Sequence, residues 1–348
     1  MNILFRFGDS RNLTFALPIY EFPQFMYPNF FYSEYVDGFS KKNKKEFHIM
    51  CHHMRFQLAE VEKVMPNDTF YFTILRNPVS QMESSFSYYR GMDIFWKPKS
   101  LEEFLSNTST YYNRSSTNSH YAKNFMTFDL GFNHNGWESA KNFKLICQAV
   151  DIMFDLVLIS EYFDESLVLL KNALCWTFDD VLSIPLNSRS NKTKKSLSKE
   201  IQYKIQSWNQ LDWHLYVYFN RTLWNQVEKF GRKRMEHEVK ELRRRRAEIT
   251  KFCFQGEVDP DKVKDKFLKP FQAGIAKILG YNLKPGLKDD DKDFCQKLVT
   301  PELQYSKLLW KKKSQTHSPP KGKESKSPLK QKERAYSYKN HSNSTNYS

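Results

Sequence analysis

Three apolar runs, rich in β-branched and aromatic residues, each lead into a segment with helical periodicity. They are FHIMCHHMRF at 47–56, TFYFTIL at 69–75 and FDLVLIS at 154–160. Strands that alternate with helices at this spacing are typical of βαβ units. Because the runs are apolar nearly throughout, we expect their strands to be covered on both faces. The pattern predicts an α/β fold in which helices flank a central parallel sheet.

The pattern of apolar and polar residues also divides the rest of the chain into regions. Residues 91–140 are rich in Asn, Ser, Thr and Tyr, which favours a long excursion over the carboxyl ends of the strands. Residues 197–252 show helical periodicity, with Val227, Phe230, Val239 and Leu242 recurring on one face of the second half. Large apolar residues become rare after residue 310, so 1–310 is expected to be one domain and 311–348 a disordered basic tail.

The chain opens on MNILFRFG, a pattern typical of the end of an amphipathic helix, with Gly8 as a natural stop. The sequence has no run of 18 apolar residues that would span a membrane, and it does not begin with a signal-peptide pattern. We therefore expect that the chain begins inside an element and lacks what precedes it.

The formal charge of +15 first suggests nucleic acid or an acidic membrane surface as a partner. Residues 311–348 hold nine Lys, one Arg and two Glu, a net +8. Residues 232–246 hold eight basic and three acidic side chains, a net +5. Only +2 remains for the rest of the chain, which argues against nucleic-acid binding. The Arg243–Arg246 run is interpreted as a solvated helix face that could contact anionic lipid.

The cysteines and the glycosylation sequons bear on the compartment. Five widely spaced cysteines without CxxC spacing argue against a zinc site. They fit either two disulfides and one free thiol in an oxidising compartment, or five reduced thiols in the cytosol. Asn-x-Ser/Thr sequons exceed the number expected by chance, which favours a glycosylated, lumenal protein. They begin at Asn12, Asn67, Asn107, Asn113, Asn191 and Asn220, and in the tail at Asn340, Asn343 and Asn346.

Arg76 stands where the second apolar run ends, and Asn77-Pro78 opens the helix that follows. Ligands of open α/β sheets bind at the carboxyl ends of strands, near helix N-termini that attract anions. Asn77 can cap the helix, and Pro78 suits its first position. A guanidinium together with the hydroxyl of Ser84 would hold a phosphate monoester. The alternative is that Arg76 pairs with a carboxylate such as Glu83 and that the serines only cover a helix face.

Three carboxylates follow the third apolar run: Glu161, Asp164 and Glu165. They could be paired catalytic acids. Because carboxylates in the first turn stabilise a helix N-terminus, we interpret them as capping residues instead.

The segment YFTILRNPVSQMESSFSYY resembles the 3′-phosphate-binding motif of the Golgi galactose 3-O-sulfotransferases. Other segments resemble the same family, in family order: NILFRFG, HHMRF, EYFDESLVLLK, ALCW (173–176), ILGYNLK (278–284) and TPELQY (300–305). The resemblance covers most of residues 1–310 and is greatest to the branch that sulfates galactosylceramide.

This resemblance implies a P-loop-like sulfotransferase fold that uses 3′-phosphoadenosine 5′-phosphosulfate (PAPS) as sulfuryl donor and needs no metal. It implies that Arg76 and Ser84 bind the 3′-phosphate, with Ser85 as the fallback if the register is off by one. The implied acceptor is the 3-hydroxyl of a β-galactosyl group, on galactosylceramide or a related glycolipid or glycan. The full-length protein is expected on the lumenal side of the Golgi membrane, held by an anchor.

Family members carry a Lys-Thr-His-Lys-x-x-Ser-Ser-Thr-type loop that cradles the 5′-phosphosulfate. That loop comes just before the segment that NILFRFG matches. We therefore expect this chain to lack the first strand, the loop and the anchor, and to show little or no activity as written.

The segment CHHMRF places His52, His53 and Arg55 at the end of the first apolar run. Period 2 puts His53 and Arg55 on one side of a strand and His52 on the other. The family pattern is Asn-His-Met-Arg-Phe, so His53 matches its histidine. By analogy with uronyl 2-O-sulfotransferases, His53 is expected to be the catalytic base, a role that suits the ordinary pKa of histidine. Arg55 is expected to bind substrate. The alternatives are a hydrogen-bonded core histidine at 53, or a base in the absent loop.

Two other functions stay open on the sequence. A non-catalytic sulfotransferase-like protein would keep the site for adenosine 3′,5′-bisphosphate without the phosphosulfate loop. A basic nucleic-acid-binding protein would bind without residues 311–348, which the charge distribution argues against.

Overall fold

The computed structural model describes residues 1–40, 46–190 and 196–316. Its helices are α1 (Asn2–Ser10), α2 (Leu58–Val61), α3 (Pro78–Tyr88), α4 (Leu101–Ser106), α5 (Thr108–Tyr111), α6 (Phe125–Asp129), α7 (Ala140–Met153), α8 (Phe163–Ala173), α9 (Phe178–Val181), α10 (Lys199–Trp208), α11 (Gln210–Phe230), α12 (Arg232–Cys253), α13 (Asp289–Val299) and α14 (Glu302–Thr316). Its strands are β1 (Phe72–Leu75), β2 (Leu156–Ile159), β3 (Phe254–Val258) and β4 (Gly280–Leu283). No helix in these ranges is long and apolar enough to cross a bilayer.

Strands β1 and β2 pair in parallel, with Leu75 opposite Ile159. Every residue of β2 is buried, because α8 and α11 pack against it. The main hydrophobic cluster surrounds this strand and includes Leu167 of α8 and Leu215 of α11. Two of the three apolar runs therefore form the expected parallel strands followed by helices, and the α/β fold class is confirmed, with a small sheet.

The first apolar run was predicted to be a strand, and that prediction was wrong. Within the described chain, residues 47–56 make only isolated parallel bridges, which join Ile49 to Phe15, His53 to Gln24 and Arg55 to Phe30. A ladder requires successive residues of both chains to stay extended. The partner segment turns and bends between the bridges, so the pairing is interrupted.

Helices α10, α11 and α12 occupy the region of predicted helical periodicity. Val227, Val239 and Leu242 are buried in the main cluster, and Phe230 packs against it. The four residues therefore face the core as expected, but they lie on two helices rather than on one face, because α11 ends at Phe230 and Gly231, with φ +97°, precedes α12.

The arginine run of α12 is paired with acidic side chains. Arg243 and Arg246 contact the two carboxylate oxygens of Asp164, in the first turn of α8, at 2.7 and 2.5 Å. Arg244 pairs with Glu241 at 2.8 Å. Asp164 thus joins α8 to α12 in addition to lying at a helix N-terminus. Exposed ion pairs of this kind contribute roughly 0–1 kcal/mol each.

Helix α1 was predicted to stop at Gly8 but continues to Ser10. Gly8 is buried, and a Cβ there would lie 2.4 Å from the ring of Phe15 and 2.7 Å from Cδ1 of Ile49. The glycine is needed for this close approach rather than for a helix end.

The stretch 91–140 contains α4, α5 and α6. Phe95 and Phe104 from this stretch share a hydrophobic cluster with Phe86 of α3. The Sδ atom of Met126 accepts a hydrogen bond from the backbone N–H of Arg76 at 3.2 Å. The stretch therefore reaches the carboxyl end of β1, as expected, but it is partly helical.

Helix α14 extends past the predicted domain boundary at residue 310 and ends at Thr316. Lys312 pairs with Asp9, and Lys313 pairs with Asp37. These ion pairs hold the end of α14 against the first 40 residues, so the predicted disordered tail does not begin at 311. Residues 317–348 lie outside the described chain.

Cys253 and Cys295 form a disulfide that joins the end of α12 to α13. Cys51, Cys147 and Cys175 are free thiols. Neither predicted arrangement, two disulfides or five reduced thiols, is therefore observed. The free thiols are kept apart, because Cys51 packs beside the cluster around α1 and α14 whereas Cys147 is buried in the main cluster.

Candidate functional site

Arg76 lies at the carboxyl end of β1, immediately before α3. The side chain of Asn77 accepts a hydrogen bond from the Val79 N–H at 2.9 Å, and Pro78 occupies the first helical position. The predicted cap of this helix is therefore confirmed. It places the half-buried Arg76 side chain at the edge of the sheet where ligands of α/β proteins bind.

The guanidinium of Arg76 is only partly engaged. Its Nε donates to Ser80 Oγ at 3.1 Å, and neither terminal nitrogen makes a hydrogen bond with a described residue. Burial lowers the pKa of Arg76, and the carboxylate of Glu161 opposes that shift. Because arginine stays charged in proteins, Arg76 offers two terminal donors and a positive charge to a ligand.

Glu161 occupies a position at this site that the sequence did not reveal. Its Oε1 accepts the backbone N–H of Asn77 at 3.0 Å and lies 3.4 Å from Ser80 Oγ. The carboxylate comes from the turn after β2, so it stabilises the N-terminus of α3 rather than that of its own helix. The sequence did contain one indication of this role: Glu161 comes just after β2, as Arg76 comes just after β1.

The alternative pairing of Arg76 with Glu83 does not occur. Glu83 pairs with Arg189, and both side chains are nearly buried. Arg189 lies close enough to Arg76 to act on its pKa, and Arg189 Nη1 is a buried donor without a hydrogen-bond partner among the described residues. A second guanidinium, from a loop distant in sequence and carrying no motif, therefore joins the site.

Ser84 and Ser85 have different environments. Ser85 is buried, and its hydroxyl donates to the backbone oxygen of Tyr121 at 2.5 Å. Ser84 is half-buried, and its hydroxyl makes no hydrogen bond with a described residue. Ser80 and Ser84 follow helical spacing from the Arg76 end of α3 and share one face. The hydroxyl left available for a ligand is therefore that of Ser84.

His53 lies on a different element and is exposed. Its Nε2 is 3.0 Å from Oε1 of Glu302, and 52 % of its side-chain surface is accessible. The protein around the accessible ring partly desolvates it and so lowers its pKa, but the hydrogen bond and charge of Glu302, together with the charge of Asp129, outweigh this effect and raise the pKa of His53. Glu302 comes from the first turn of α14, and nothing in the local sequence around either residue indicates the pair.

The neighbouring His52 is the core histidine of this segment. Its Nε2 is 2.9 Å from Ser306 Oγ, and its ring packs against Phe5 and Phe25. Burial lowers the pKa of His52 to about 4. The predicted alternation of the two histidines is observed, and the core-histidine alternative describes His52 rather than His53.

One face of α3 connects the two parts of the site. Ser80, Ser84 and Tyr88 are spaced by four residues along it, and Ser80 to Tyr88 spans about 12 Å at the helical rise. Burial raises the pKa of Tyr88, and the charge of Glu302 contributes to that shift. The face therefore runs from the Arg76 end of the helix towards the His53–Glu302 pair.

Arg55 is packed between aromatic rings. Its guanidinium carbon lies 3.7 Å from the ring centre of Phe30 and 4.1 Å from that of Phe128. Nη2 donates to the backbone oxygen of Phe132 at 3.3 Å, and Nε is buried without a hydrogen-bond partner among the described residues. The Nη1 atom remains as a donor that an acceptor could use.

The carboxyl of the half-buried Asp129 lies near both His53 and Arg55, since the charges of both act on it. Asp129 accepts a hydrogen bond from the hydroxyl of Tyr27 at 2.8 Å. Burial raises the pKa of Asp129 to about 7, against the effects of that hydrogen bond and of the charges of His53 and Arg55. The charges of His53 and Arg55 therefore both act on Asp129, although the two side chains do not contact each other.

No group of three or more metal-ligating side chains is placed to hold an ion in the part of the chain that is described.

The predicted glycosylation sites differ in their exposure. Among the sequons, Asn12, Asn67, Asn107 and Asn113 are exposed. Asn220 is half-buried within α11, where its amide donates to the Tyr216 hydroxyl at 3.3 Å. Asn191 and the three sequons of the tail lie outside the described residues.

Comparison with known proteins gives one consistent result. A sequence model of the family described as galactose-3-O-sulfotransferase matches residues 1–313. Galactose-3-O-sulfotransferase 2 of Sus scrofa is 46% identical over 89% of this chain and 79% of the relative. Galactosylceramide sulfotransferase of Homo sapiens is 39% identical over 88% of the chain and 73% of the relative, and galactose-3-O-sulfotransferase 4 of Homo sapiens is 36% identical over 89% and 79%. No solved structure matches the chain.

These identities confirm the resemblance but do not favour the branch that sulfates galactosylceramide, since the identity to galactose-3-O-sulfotransferase 2 is higher.

Proposed function

The chain belongs to the galactose-3-O-sulfotransferase family, and on that premise we propose that it transfers a sulfuryl group from PAPS to the 3-hydroxyl of a β-galactosyl residue. The proposed acceptor is galactosylceramide or a related glycolipid. In the reaction the acceptor oxygen forms a bond to sulfur, the bond between sulfur and the phosphate oxygen breaks, and adenosine 3′,5′-bisphosphate leaves. The donor supplies the activated sulfuryl group, and the protein supplies binding, orientation and a base.

The observation that carries the proposal is the partly engaged guanidinium of Arg76 beside the available hydroxyl of Ser84. A phosphate monoester accepts paired N–H donors from a guanidinium and a hydrogen bond from a hydroxyl. Arg189, with its unpartnered buried Nη1, adds a second positive group nearby. These residues fit the 3′-phosphate of the donor. Glu83 pairs with Arg189, and the charge of Glu161 acts on Arg76 without contacting it.

We assign the base to His53. A histidine at the surface can contact an acceptor, whereas the buried His52 cannot. The carboxylate of Glu302 on Nε2 leaves Nδ1 as the nitrogen that takes the proton of the galactosyl 3-hydroxyl. Because the pair raises the pKa of His53, the neutral, proton-accepting form requires a higher pH than for an isolated histidine. Arg55 Nη1 is the proposed further contact to the acceptor.

The proposed compartment is the Golgi lumen, at the membrane. Four exposed sequons and the Cys253–Cys295 disulfide support it, because glycosylation and disulfides both occur in the secretory pathway.

Calorimetry with adenosine 3′,5′-bisphosphate tests the donor site. Replacing Arg76 by Gln removes charge-assisted hydrogen bonds, each contributing about 1.5–3 kcal/mol, so the Kd is expected to rise about 10- to 100-fold. Ser84→Ala should weaken binding less. Ser207→Ala, at an exposed serine of α10, is the matched control and should bind as the wild type does. Unchanged affinity in Arg76→Gln would overturn the assignment. Binding without sulfuryl transfer in a version of the protein that includes the phosphosulfate loop would favour a non-catalytic bisphosphate-binding protein.

A further inference from the structure

A groove of about 430 Å³ lies between residues 269–272 and the first turns of α14. Its other wall is formed by Leu303, Gln304 and Lys307. This volume falls in the range of small-molecule sites, about 300–1,000 Å³. No residue of the groove belongs to the donor site around Arg76.

One wall of the groove adjoins the candidate base, and the other wall leads to the end of α3. Leu303 directly follows Glu302, whose carboxylate lies 3.0 Å from His53. On the other wall, the chain continues to Gly274, which packs on the last turn of α3. A Cβ at Gly274 would lie 2.4 Å from the backbone oxygen of Ser87, and its φ is +55°. A ligand with its reacting hydroxyl at His53 can therefore extend into the groove.

The lining of the groove holds two exposed apolar side chains beside the exposed polar residues Lys269, Gln272 and Lys307. Phe271 and Leu303 are 58% and 37% exposed, and Ile275, just beyond the lining, is 59% exposed. Exposed apolar side chains that lie together can mark a ligand-binding groove. Ile275 follows the lining segment and is held by a hydrogen bond from its N–H to the Ser87 oxygen at 3.1 Å. The alkyl stem of Lys307 can cover apolar surface while its ammonium stays in water.

One unpaired acceptor lies in the lining of the groove. The amide nitrogen of Gln304 donates to the backbone oxygen of Lys269 at 2.8 Å, which joins the two walls. The Oε1 atom of Gln304 is buried and has no hydrogen-bond partner among the described residues. An amide N–H or hydroxyl of a ligand would satisfy it, since buried acceptors are normally paired.

The loop that carries Phe271 is held in place by Gln272. The Gln272 side chain donates to the backbone oxygen of Ile278 at 3.1 Å and accepts its N–H at 2.9 Å. Phe271 is thus presented to the groove by a loop that is fixed before any ligand arrives, which reduces the entropy lost on binding.

A second apolar segment borders His53 on another side. The backbone N–H of His53 donates to the oxygen of Pro23 at 3.0 Å, and Tyr20 and Phe22 nearby are exposed. The candidate base therefore lies between two exposed apolar segments.

We propose that this groove binds the aglycone of a galactosyl lipid, with the galactosyl group at His53. The hydrocarbon part lies along Phe271, Ile275 and Leu303, and a polar group next to the sugar bonds Gln304 Oε1. The inference rests on the proposed function, because it takes the galactosyl acceptor from it, and it adds the residues that select a lipid over a free sugar.

Two acceptors that differ only in the aglycone test the groove: a short-chain galactosyl lipid and methyl β-galactoside. Equilibrium binding is measured without donor for the wild type, Phe271→Ala and Leu303→Ala. Phe294→Ala is the control, because Phe294 is an exposed phenylalanine of α13 outside the groove. The Kd of the galactosyl lipid is expected to rise about tenfold in the groove variants. Binding of methyl β-galactoside should stay within about twofold.

Equal loss for both acceptors, or no loss for the lipid, overturns the proposal. A galactosyl disaccharide is measured as a third ligand, and a loss confined to it also overturns the proposal, because it would assign the groove to a saccharide chain. The proposed function fails separately. Lipid binding that depends on Phe271, without bisphosphate binding and without sulfuryl transfer in a version of the protein that includes the phosphosulfate loop, would leave the groove assignment standing and refute the reaction.

Discussion

The imidazole of His53 and the carboxylate of Glu302 meet at 3.0 Å, although one residue lies in an extended segment near the start of the chain and the other begins α14. This contact raises the pKa of His53 despite the opposing effect of burial. Because a raised pKa keeps the imidazole protonated up to a higher pH, the contact also determines the pH range in which His53 can act as a general base.

Replacing Glu302 by Gln removes the charge that holds the proton on His53. The pKa of His53 should fall, so the acid limb of the pH–rate profile should move to lower pH. The same change shows in an NMR titration of the His53 ring, which needs no turnover. A group with a raised folded-state pKa contributes stability below its unfolded pKa and loses it as pH rises through the folded pKa. The variant should therefore lose part of this dependence. An unchanged His53 titration would contradict the role of Glu302.

Changing His53 to Ala should lower kcat by about 10²- to 10⁴-fold, the usual contribution of a general base. The Kd for adenosine 3′,5′-bisphosphate should not change, because His53 does not lie at the Arg76 end of α3. His237→Ala, at an exposed histidine of α12, serves as the control in both assays. Turnover retained in a version of the protein that is otherwise active would transfer the role of base to another residue.

Glu161→Gln tests the charge balance of the donor site. The amide oxygen of Gln can still accept the Asn77 N–H, while the negative charge near Arg76 is lost. Affinity for adenosine 3′,5′-bisphosphate should rise about fivefold, on the order of 1 kcal/mol, and the gain should shrink in high salt. The exposed Glu62 supplies the control substitution Glu62→Gln. Weaker binding in Glu161→Gln, without loss of folding, would mean that this carboxylate helps to place Arg76.

Arg55→Ala should lower the free energy of unfolding by about 2 kcal/mol, because the guanidinium loses its contacts with the rings of Phe30 and Phe128. Arg55→Lys keeps the charge but loses the planar stacking, so it should be intermediate. Thermal unfolding measures both. A raised acceptor KM in Arg55→Lys with unchanged stability would instead support a direct contact between Arg55 and the acceptor.

Gly8→Ala should destabilise the protein by about 1–3 kcal/mol, since the added methyl group overlaps Phe15 and Ile49. Gly91→Ala is the matched control, because a Cβ at Gly91 meets nothing within 4 Å. If both variants unfold at the same temperature, Gly8 is not required for the close packing of α1.

Local features of the chain could be read directly from the sequence. Strand β1 is followed directly by Arg76, Asn77 and Pro78 and then by helix α3. Each of these features depends on the backbone and capping preferences of neighbouring residues, so a short stretch of sequence is enough to predict them. The core-facing positions of α11 and α12 were equally predictable, because a helix repeats its faces every 3.6 residues, but the break between the two helices at Gly231 was not predicted. Gly8 was misread, since glycine marks helix ends and close contacts alike and only the position of Phe15 distinguishes them.

The strand predicted at 47–56 failed for a related reason. Its composition is that of a strand, but a strand requires a partner that stays extended beside it, and that partner is a separate segment with its own turns.

By itself, the sequence determined the α/β class, the capped helix that follows Arg76 and carries Ser84, and membership of a sulfotransferase family. Only the tertiary structure decided that Glu302 reaches His53, that Arg189 takes Glu83 away from Arg76, and that Ser85 is committed to Tyr121. Those contacts join residues from distant segments, and no spacing along the chain encodes which side chains meet once helices and strands pack together.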